Sequence, residues 1–209
     1  VLLYANHTAW WDGYLFSILM HEAWRPARML ARISVMVEAD TLRKYGFLRH
    51  LGAFGVDRDN PRDGLAAIQH AVRNLSQTPH GVVGIFPQGK FYHPDARPLH
   101  FFNGVGLIAK QTIAVAGACA LVPIALRYEF VREQKPEAFI RVGSPSLITP
   151  SHPLHDNAKG LTAHMAHTLE SEMSALRDDC VAYRFADFAP LLKGNLGLQQ
   201  WWDRVRLFR

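Results

Sequence analysis

Residues 1–5, Val-Leu-Leu-Tyr-Ala, form an apolar run of strand length, and Tyr14, Leu15, Ile18 and Leu19 then recur at helical spacing. A strand feeding a helix is predicted, with Asn6 as the loop or cap residue between them. That helix should close near Trp24-Arg25-Pro26, because proline disfavours helix in the residue before it. Residues 28–33 read as a second strand and residues 41–51 as a short helix. In the latter, Leu42, Tyr45, Leu48 and Leu51 make one apolar line, and Arg43, Lys44, Arg49 and His50 make the remainder basic. Residues 52–58 give a short strand ending in Arg58, after which Asn60 is the expected N-cap and Pro61 the first helical position. Leu65, Ile68, Val72 and Leu75 should be the buried face of that helix. Residues 82–86 are almost wholly apolar and closed by Pro87 and Gly89, the pattern of a buried strand ending in a sharp loop. The loop 88–100 is long for a compact domain, as functional loops often are. A helix over 104–115, a strand over 120–128, a strand over 138–142 and a helix over 161–176 complete the pattern. Pro123 inside the 120–128 strand requires an edge or bulge at that position, since proline has no N–H for a ladder. Strands alternating with helices predict an α/β fold, a single domain with a mixed, largely parallel central sheet flanked by helices and its sites at the strand ends.

Composition narrows the class without fixing the chemistry. At 209 residues, 49% apolar, the chain supports one sizeable core. Residues 1–190 are assigned to it and residues 191–209 to a C-terminal amphipathic segment. A net charge of +5 favours anionic partners, whether nucleic acid, lipid headgroups or phosphorylated small molecules. The dispersed arginines offer no ordered basic stripe with stacking aromatics, so no nucleic-acid partner is expected. Cys119 and Cys180 lack metal-ligand spacing and fit a reducing, cytoplasmic setting. No apolar run is long enough to cross a bilayer and no signal peptide is visible. The chain opens with Val1 directly in a strand, which leaves room for upstream residues, a membrane anchor among them.

The candidate chemistry lies in Asn6-His7-Thr8-Ala9-Trp10-Trp11-Asp12. On a regular helix, residues five apart point about 140° away from one another, so His7 and Asp12 meet only if the chain turns between them. A strand end feeding a helix supplies such a turn. If the carboxylate accepts from one ring nitrogen, the other becomes a positioned proton acceptor near neutral pH. Arg58 at a strand end and Lys90 beside Gly89 are candidate anion binders, the arginine as a bidentate fork and the lysine as a point charge. Arg58 has an alternative in pairing with Asp57 or Asp59, and Lys90 in simple solvation. Backbone N–H groups of the turn at Gly89 are candidate oxyanion donors, because glycine lets backbone approach substrate closely.

Four elements, Asn6-His7 with Asp12, Gly52 to Arg58, Phe86-Pro87-Gln88-Gly89, and Val122-Pro123-Ile124, resemble in order and rough spacing the four sequence blocks of the glycerolipid acyltransferases, the lysophosphatidate and glycerol-phosphate acyltransferases. The resemblance spans nearly the whole chain. It implies that His7 is the general base and Asp12 its orienting carboxylate, and that Arg58 holds the acceptor's phosphate. Gly89 would be the glycine of the third block, with Phe86, Pro87, Gln88 and Lys90 lining the substrate. Pro123 would serve acyl-donor binding or strand geometry. That third block usually reads Phe-Pro-Glu-Gly-Thr-Arg; here Gln88, Lys90 and Phe91 replace Glu, Thr and Arg, and a lysine after the glycine also resembles the tafazzin branch. A neutral Gln88 beside Lys90 is expected to leave the lysine's charge available to an anionic substrate.

The implied reaction moves a fatty acyl chain from acyl-CoA or acyl-carrier protein, with no cofactor, to a hydroxyl of a lysophospholipid-like acceptor. Other acceptors left open are a glycolipid, a glycosylated carotenoid or a phospholipid, and a non-catalytic lipid-binding module is the alternative of a different class. No Gly-x-Ser-x-Gly elbow supports a serine lipase, and phosphate-loop and dinucleotide fingerprints are absent. His164 with His167, and His152 with His155, lack a third ligand, so no metal is expected. In residues 198–209, helical spacing would set Leu198, Trp201, Trp202, Val205 and Phe208 on one face with Arg204 and Arg206 flanking it. Together with the basic 41–51 helix, that face predicts peripheral contact at the cytoplasmic side of a membrane, with or without an anchor upstream of Val1.

Overall fold

The opening apolar run becomes the centre of a sheet. In the computed structural model, which describes residues 1–24, 33–132 and 135–192, β1 (Leu2–Ala5) is buried at every position. It runs parallel to both its neighbours, β4 (Val82–Ile85) and β5 (Cys119–Glu129). Outside β4 lie β2 (Ile33–Glu38) and β3 (Ala53–Val56), both parallel; outside β5 lie β6 (Glu137–Val142) and β7 (Ser146–Ile148), both antiparallel to it. Among the described residues the sheet has seven strands in the order β3-β2-β4-β1-β5-β6, with β7 also paired to β5. The predicted single mixed, mostly parallel sheet flanked by helices is therefore the observed fold.

Period-two alternation explains why β1 is buried on both sides. Leu2 and Tyr4 pack with Ala71, Ile108 and Leu161, from α3 (Pro61–Gln77), α4 (Gly104–Ala116) and α5 (Ala158–Val181). Leu3 and Ala5 pack with Phe16 and Met20 of α1 (Asp12–Trp24) on the opposite face. Gly84 of β4 belongs to that second contact: a Cβ there would lie 2.5 Å from the Phe16 ring, so its absence lets α1 sit down on the sheet.

Several boundaries differ from the sequence pattern. The second strand occupies Ile33–Glu38, where Ile33, Val35 and Val37 alternate onto the α1 face, and only Ile33 is shared with the predicted 28–33. Residues 28–32, the Arg25-Pro26 stop and the 198–209 helix lie outside the described residues. The 41–51 helix divides into α2 (Ala39–Lys44) and a 3-10 turn (Gly46–Leu51), because Tyr45 leaves helical geometry at φ −120°, ψ 64°. Its apolar line is thereby lost: Leu42 is buried and Leu51 exposed. In α3 the buried stripe is Ala67, Ala71 and Val72, small residues that permit close approach, with Ile68 and Leu75 packed beside them and Leu65 turned outward. The three-residue β7 was too short to show a period. Asn60 caps α3 as expected, accepting from the N–H groups of Arg62 and Asp63, with Pro61 following. Pro123 faces Tyr4 in an inner strand, at the position where β5 exchanges β6 for β7. Its carbonyl accepts from Gly143 N on that side, so the missing donor faces the gap between the two partners.

A side chain ties the ends of β1 and β5 together. Asn6, fully buried, donates from Nδ2 to the Leu126 carbonyl at 2.9 Å and accepts from Leu126 N–H at 2.7 Å. Asn6→Ala is expected to cost about 2–3 kcal/mol in urea unfolding, since it strands two backbone groups in the core. A loss under half a kilocalorie would mean that water replaces the amide.

Candidate active site

Four segments deliver the candidate residues to one end of the sheet. His7 follows β1, Arg58 follows β3, the 86–90 turn follows β4, and Tyr128 lies near the end of β5. The turn between β1 and α1 is built around the Asp12 carboxylate. Its Oδ2 accepts from Thr8 N (2.6 Å), Ala9 N (2.8 Å) and His7 Nδ1 (2.8 Å), and its Oδ1 from the Tyr128 hydroxyl (2.7 Å). Asp12 is fully buried. Burial works to raise its pKa, but the His7, Ala9, Tyr128 and Thr8 donors outweigh that and hold it below the usual carboxylate value. Burial, then the hydrogen bond to Asp12 and that carboxylate's charge, push Tyr128 far up, so it remains a hydroxyl donor.

An ionised carboxylate only accepts, so the bond to Asp12 assigns the proton to His7 Nδ1 and leaves Nε2 as a proton acceptor. The ring is stacked on Phe86 at 4.5 Å between centroids and meets Phe91 edge-on at 4.4 Å. The backbone is held as well: His7 N donates to Gln88 Oε1 at 2.8 Å, and its carbonyl accepts from Tyr92 N at 2.8 Å. Gln88 is buried and turned toward His7, while the Lys90 ammonium stands over the Tyr92 ring at 5.2 Å. The Gln88 amide oxygen thus also has a structural task, as the acceptor for the His7 main-chain N–H.

His7 opens onto a cavity of about 780 Å³, within the range of small-molecule sites. Its inner wall is apolar, with Met36, Ile68, Ile85, Val105 and Ile108; Trp10, Lys44, Tyr45, Lys90 and Phe91 stand toward solvent. Arg58, Phe86, Pro87, Gly89 and Lys90 all line it, whereas Asp12 and Gln88 stand behind His7 and Pro123 is elsewhere in the sheet. Arg58 pairs with neither neighbouring aspartate. It donates to the Gly89 carbonyl and, at 2.8 Å, to Glu38 Oε1, and lies over the Phe102 ring. Gly89 has φ +68°, and a Cβ there would lie 2.5 Å from the Arg58 guanidinium, so the position demands glycine on both counts. Its own N–H is spent on Phe86 O at 3.0 Å, which removes it as an oxyanion donor. Burial pushes the Cys119 thiol up to about 11, so it is not poised as a nucleophile. Among the described residues no group of three or more His, Cys, Asp or Glu side chains is placed to hold a metal.

Tyr128 and Glu38 were missed in the sequence. Tyr128 ended a predicted strand, and no spacing couples it to Asp12 until β5 pairs beside β1; Glu38 fell outside the expected second strand.

A parallel-stranded α/β domain with a histidine–aspartate pair at its strand ends and an apolar cavity before it is the class that fold and geometry define. A model of the acyltransferase family matches residues 1–127, well over half of the chain, and the chain belongs to that family, the glycerolipid acyltransferases. The match takes in all the predicted site residues and stops one residue short of Tyr128. No match is found among curated proteins.

Two predictions follow from the geometry around His7. Gln88→Leu should lower turnover at least tenfold by leaving His7 N–H unpaired, whereas Gln88→Glu, which still offers an oxygen, should lose less. Equal losses in steady-state assays would remove the backbone bond from the explanation. The second concerns stability. Because Asp12 titrates lower in the folded chain than the ordinary value near 3.9, its stabilisation is complete above that value and is lost as pH falls through its own depressed pKa. The stability gap between the parent and Asp12→Asn should not narrow between about pH 7 and pH 5 and should be lost only below about pH 4. A gap closing near pH 6 in denaturant titrations would contradict this.

Proposed function

We propose that this chain is an O-acyltransferase that moves a fatty acyl group from an acyl thioester, acyl-CoA or acyl-carrier protein, to a hydroxyl of a lysophospholipid-like acceptor. The observation that carries the reading is the His7–Asp12 pair at 2.8 Å, with the second ring nitrogen free and an apolar cavity in front of it. His7 Nε2 takes the hydroxyl proton as the oxygen attacks the thioester carbonyl; the tetrahedral intermediate collapses with loss of the C–S bond, and the proton passes to the departing sulfur. The thiolate leaves readily, so no acyl-enzyme is required. With Gly89 N–H committed, the Lys90 amide, which has no partner among the described residues, is the donor we assign to the oxyanion. The apolar wall suits the acyl chain, and Arg58 and Lys90 suit an anionic acceptor headgroup.

One contact favours a second reading of the acceptor. Arg58 is already neutralised by Glu38, and an uncharged acceptor such as a glycolipid or a glycosylated carotenoid would not have to displace that carboxylate.

The test is thiol release from acyl thioesters with lysophospholipid and neutral glycolipid acceptors offered in turn. His7→Ala should reduce transfer by about 10²–10⁴-fold with the fold retained. Substantial turnover by folded His7→Ala protein would sink the mechanism. Arg58→Ala should raise the KM of a phosphate-bearing acceptor more than that of the thioester. An effect confined to the thioester would move Arg58 to the donor side.

A further inference from the structure

Around the mouth of the cavity the surface is aromatic to an unusual degree. Trp10, Trp11, Tyr14 and Phe47 are 61%, 57%, 60% and 62% exposed. They form a connected row, since Tyr14 meets Trp11 at 6.3 Å, Trp11 meets Trp10 at 5.0 Å, Trp10 meets Tyr45 at 6.3 Å, and Tyr45 meets Phe47 at 6.5 Å. The row joins the start of α1 to the 3-10 turn after α2, and its middle members, Trp10 and Tyr45, also line the cavity. Exposing this much contiguous apolar surface is unfavourable in water and marks a binding face.

We propose that this row is the face by which the protein sits on an anionic lipid bilayer, with the cavity mouth opening toward the headgroups. Two observations select a bilayer over a protein partner. Cations flank the rings: Lys44 lies over Tyr45 at 5.3 Å, Arg49 is exposed in the 3-10 turn that carries Phe47, and Lys90 stands at the cavity edge. The nearby carboxylates Asp40 and Glu38 are paired with Arg43 and Arg58, so the three cations keep their charge for headgroup phosphates. The ring types also fit. Trp and Tyr combine an apolar body with a polar tip, which suits the boundary between headgroups and acyl chains. The continuity of the row with the cavity rests on the proposed function, in which the acceptor is a lipid; a molecule leaving the bilayer would pass Trp10 and Tyr45 on its way to His7.

The test compares the full chain with Trp11→Ser/Tyr14→Ser/Phe47→Ser, three exposed positions that do not line the cavity. Co-sedimentation with phosphatidylcholine vesicles, with and without phosphatidylglycerol, should show the parent binding the anionic vesicles tighter by on the order of tenfold or more. The variant should bind them at least tenfold more weakly, with an unchanged thermal melt. On a short-chain, water-soluble thioester and acceptor the two proteins should turn over alike, and on vesicle-embedded acceptor the variant should be slower. Vesicle binding is read without any turnover, so an inactive parent would count against the proposed function alone. Equal binding by parent and variant, or no preference for anionic vesicles, would overturn the bilayer face. Light scattering showing a parent dimer that the variant dissolves would assign the row to a second copy. Lipid-free hydrogen exchange changing at residues 193–209 in the variant would assign it to the chain's own end, and either result replaces the proposal.

Discussion

Asp12 carries its negative charge in a place without water, and much of the arrangement around it is what makes that tolerable. A carboxylate removed from solvent costs several kcal/mol unless donors replace its hydration. Here they come from Thr8 and Ala9 in the turn, from the His7 ring, and from Tyr128 on a different strand. The two backbone donors fix the path of the turn, and the turn fixes where α1 begins. Tyr128 ties the assembly to β5, and Asn6 repeats that tie one step earlier through Leu126. An imidazole bonded to such a carboxylate has one proton position and a restricted rotamer. The orientation of His7 is thus a property of the sheet and not of a loop.

Strand order decides what stands opposite that histidine. From β1 the chain passes into α1 on one face of the sheet, while from β4 it passes through the 86–103 segment into α4 on the other face. β1 and β4 are neighbours, so the helices that follow them diverge and leave a crevice beyond their carboxyl ends. His7 and the 86–90 turn are the two lips of that crevice. Gly84 lets Phe16 come close beneath it, and Gly89 bends the upper lip back so that its carbonyl meets Arg58. The cavity runs from that crevice over the face covered by α3 and α4, where Ile68, Val105 and Ile108 wall it, and on toward α2 at Thr41 and Lys44.

This explains which parts could be read in the sequence. Strands buried on both faces write themselves as short apolar runs, so β1, β4 and β5 were legible, and Asn60-Pro61 announced α3 through capping chemistry. The pairing of His7 with Asp12 was legible because both lie in one turn. What involved two distant segments was not: Tyr128 and Glu38 gain their partners only from the sheet order, and nothing local at residue 128 or 38 records it. The helix expected over 41–51 failed for a local reason, since a continuous apolar line gave no sign that Tyr45 would leave helical geometry.

The amide at position 88 shows the same economy of buried charge. The resemblance leads one to expect a glutamate there, and a side-chain oxygen is needed, because His7 N–H ends on Gln88 Oε1 in a nearly dry setting. A glutamate would meet that need while placing a second anion behind the ring that Asp12 already flanks, and its remaining lone pairs would need donors of their own. Lys90, extended over Tyr92, is not turned to supply them. Glutamine gives the His7 backbone its acceptor without a second buried charge, so a single carboxylate governs the histidine.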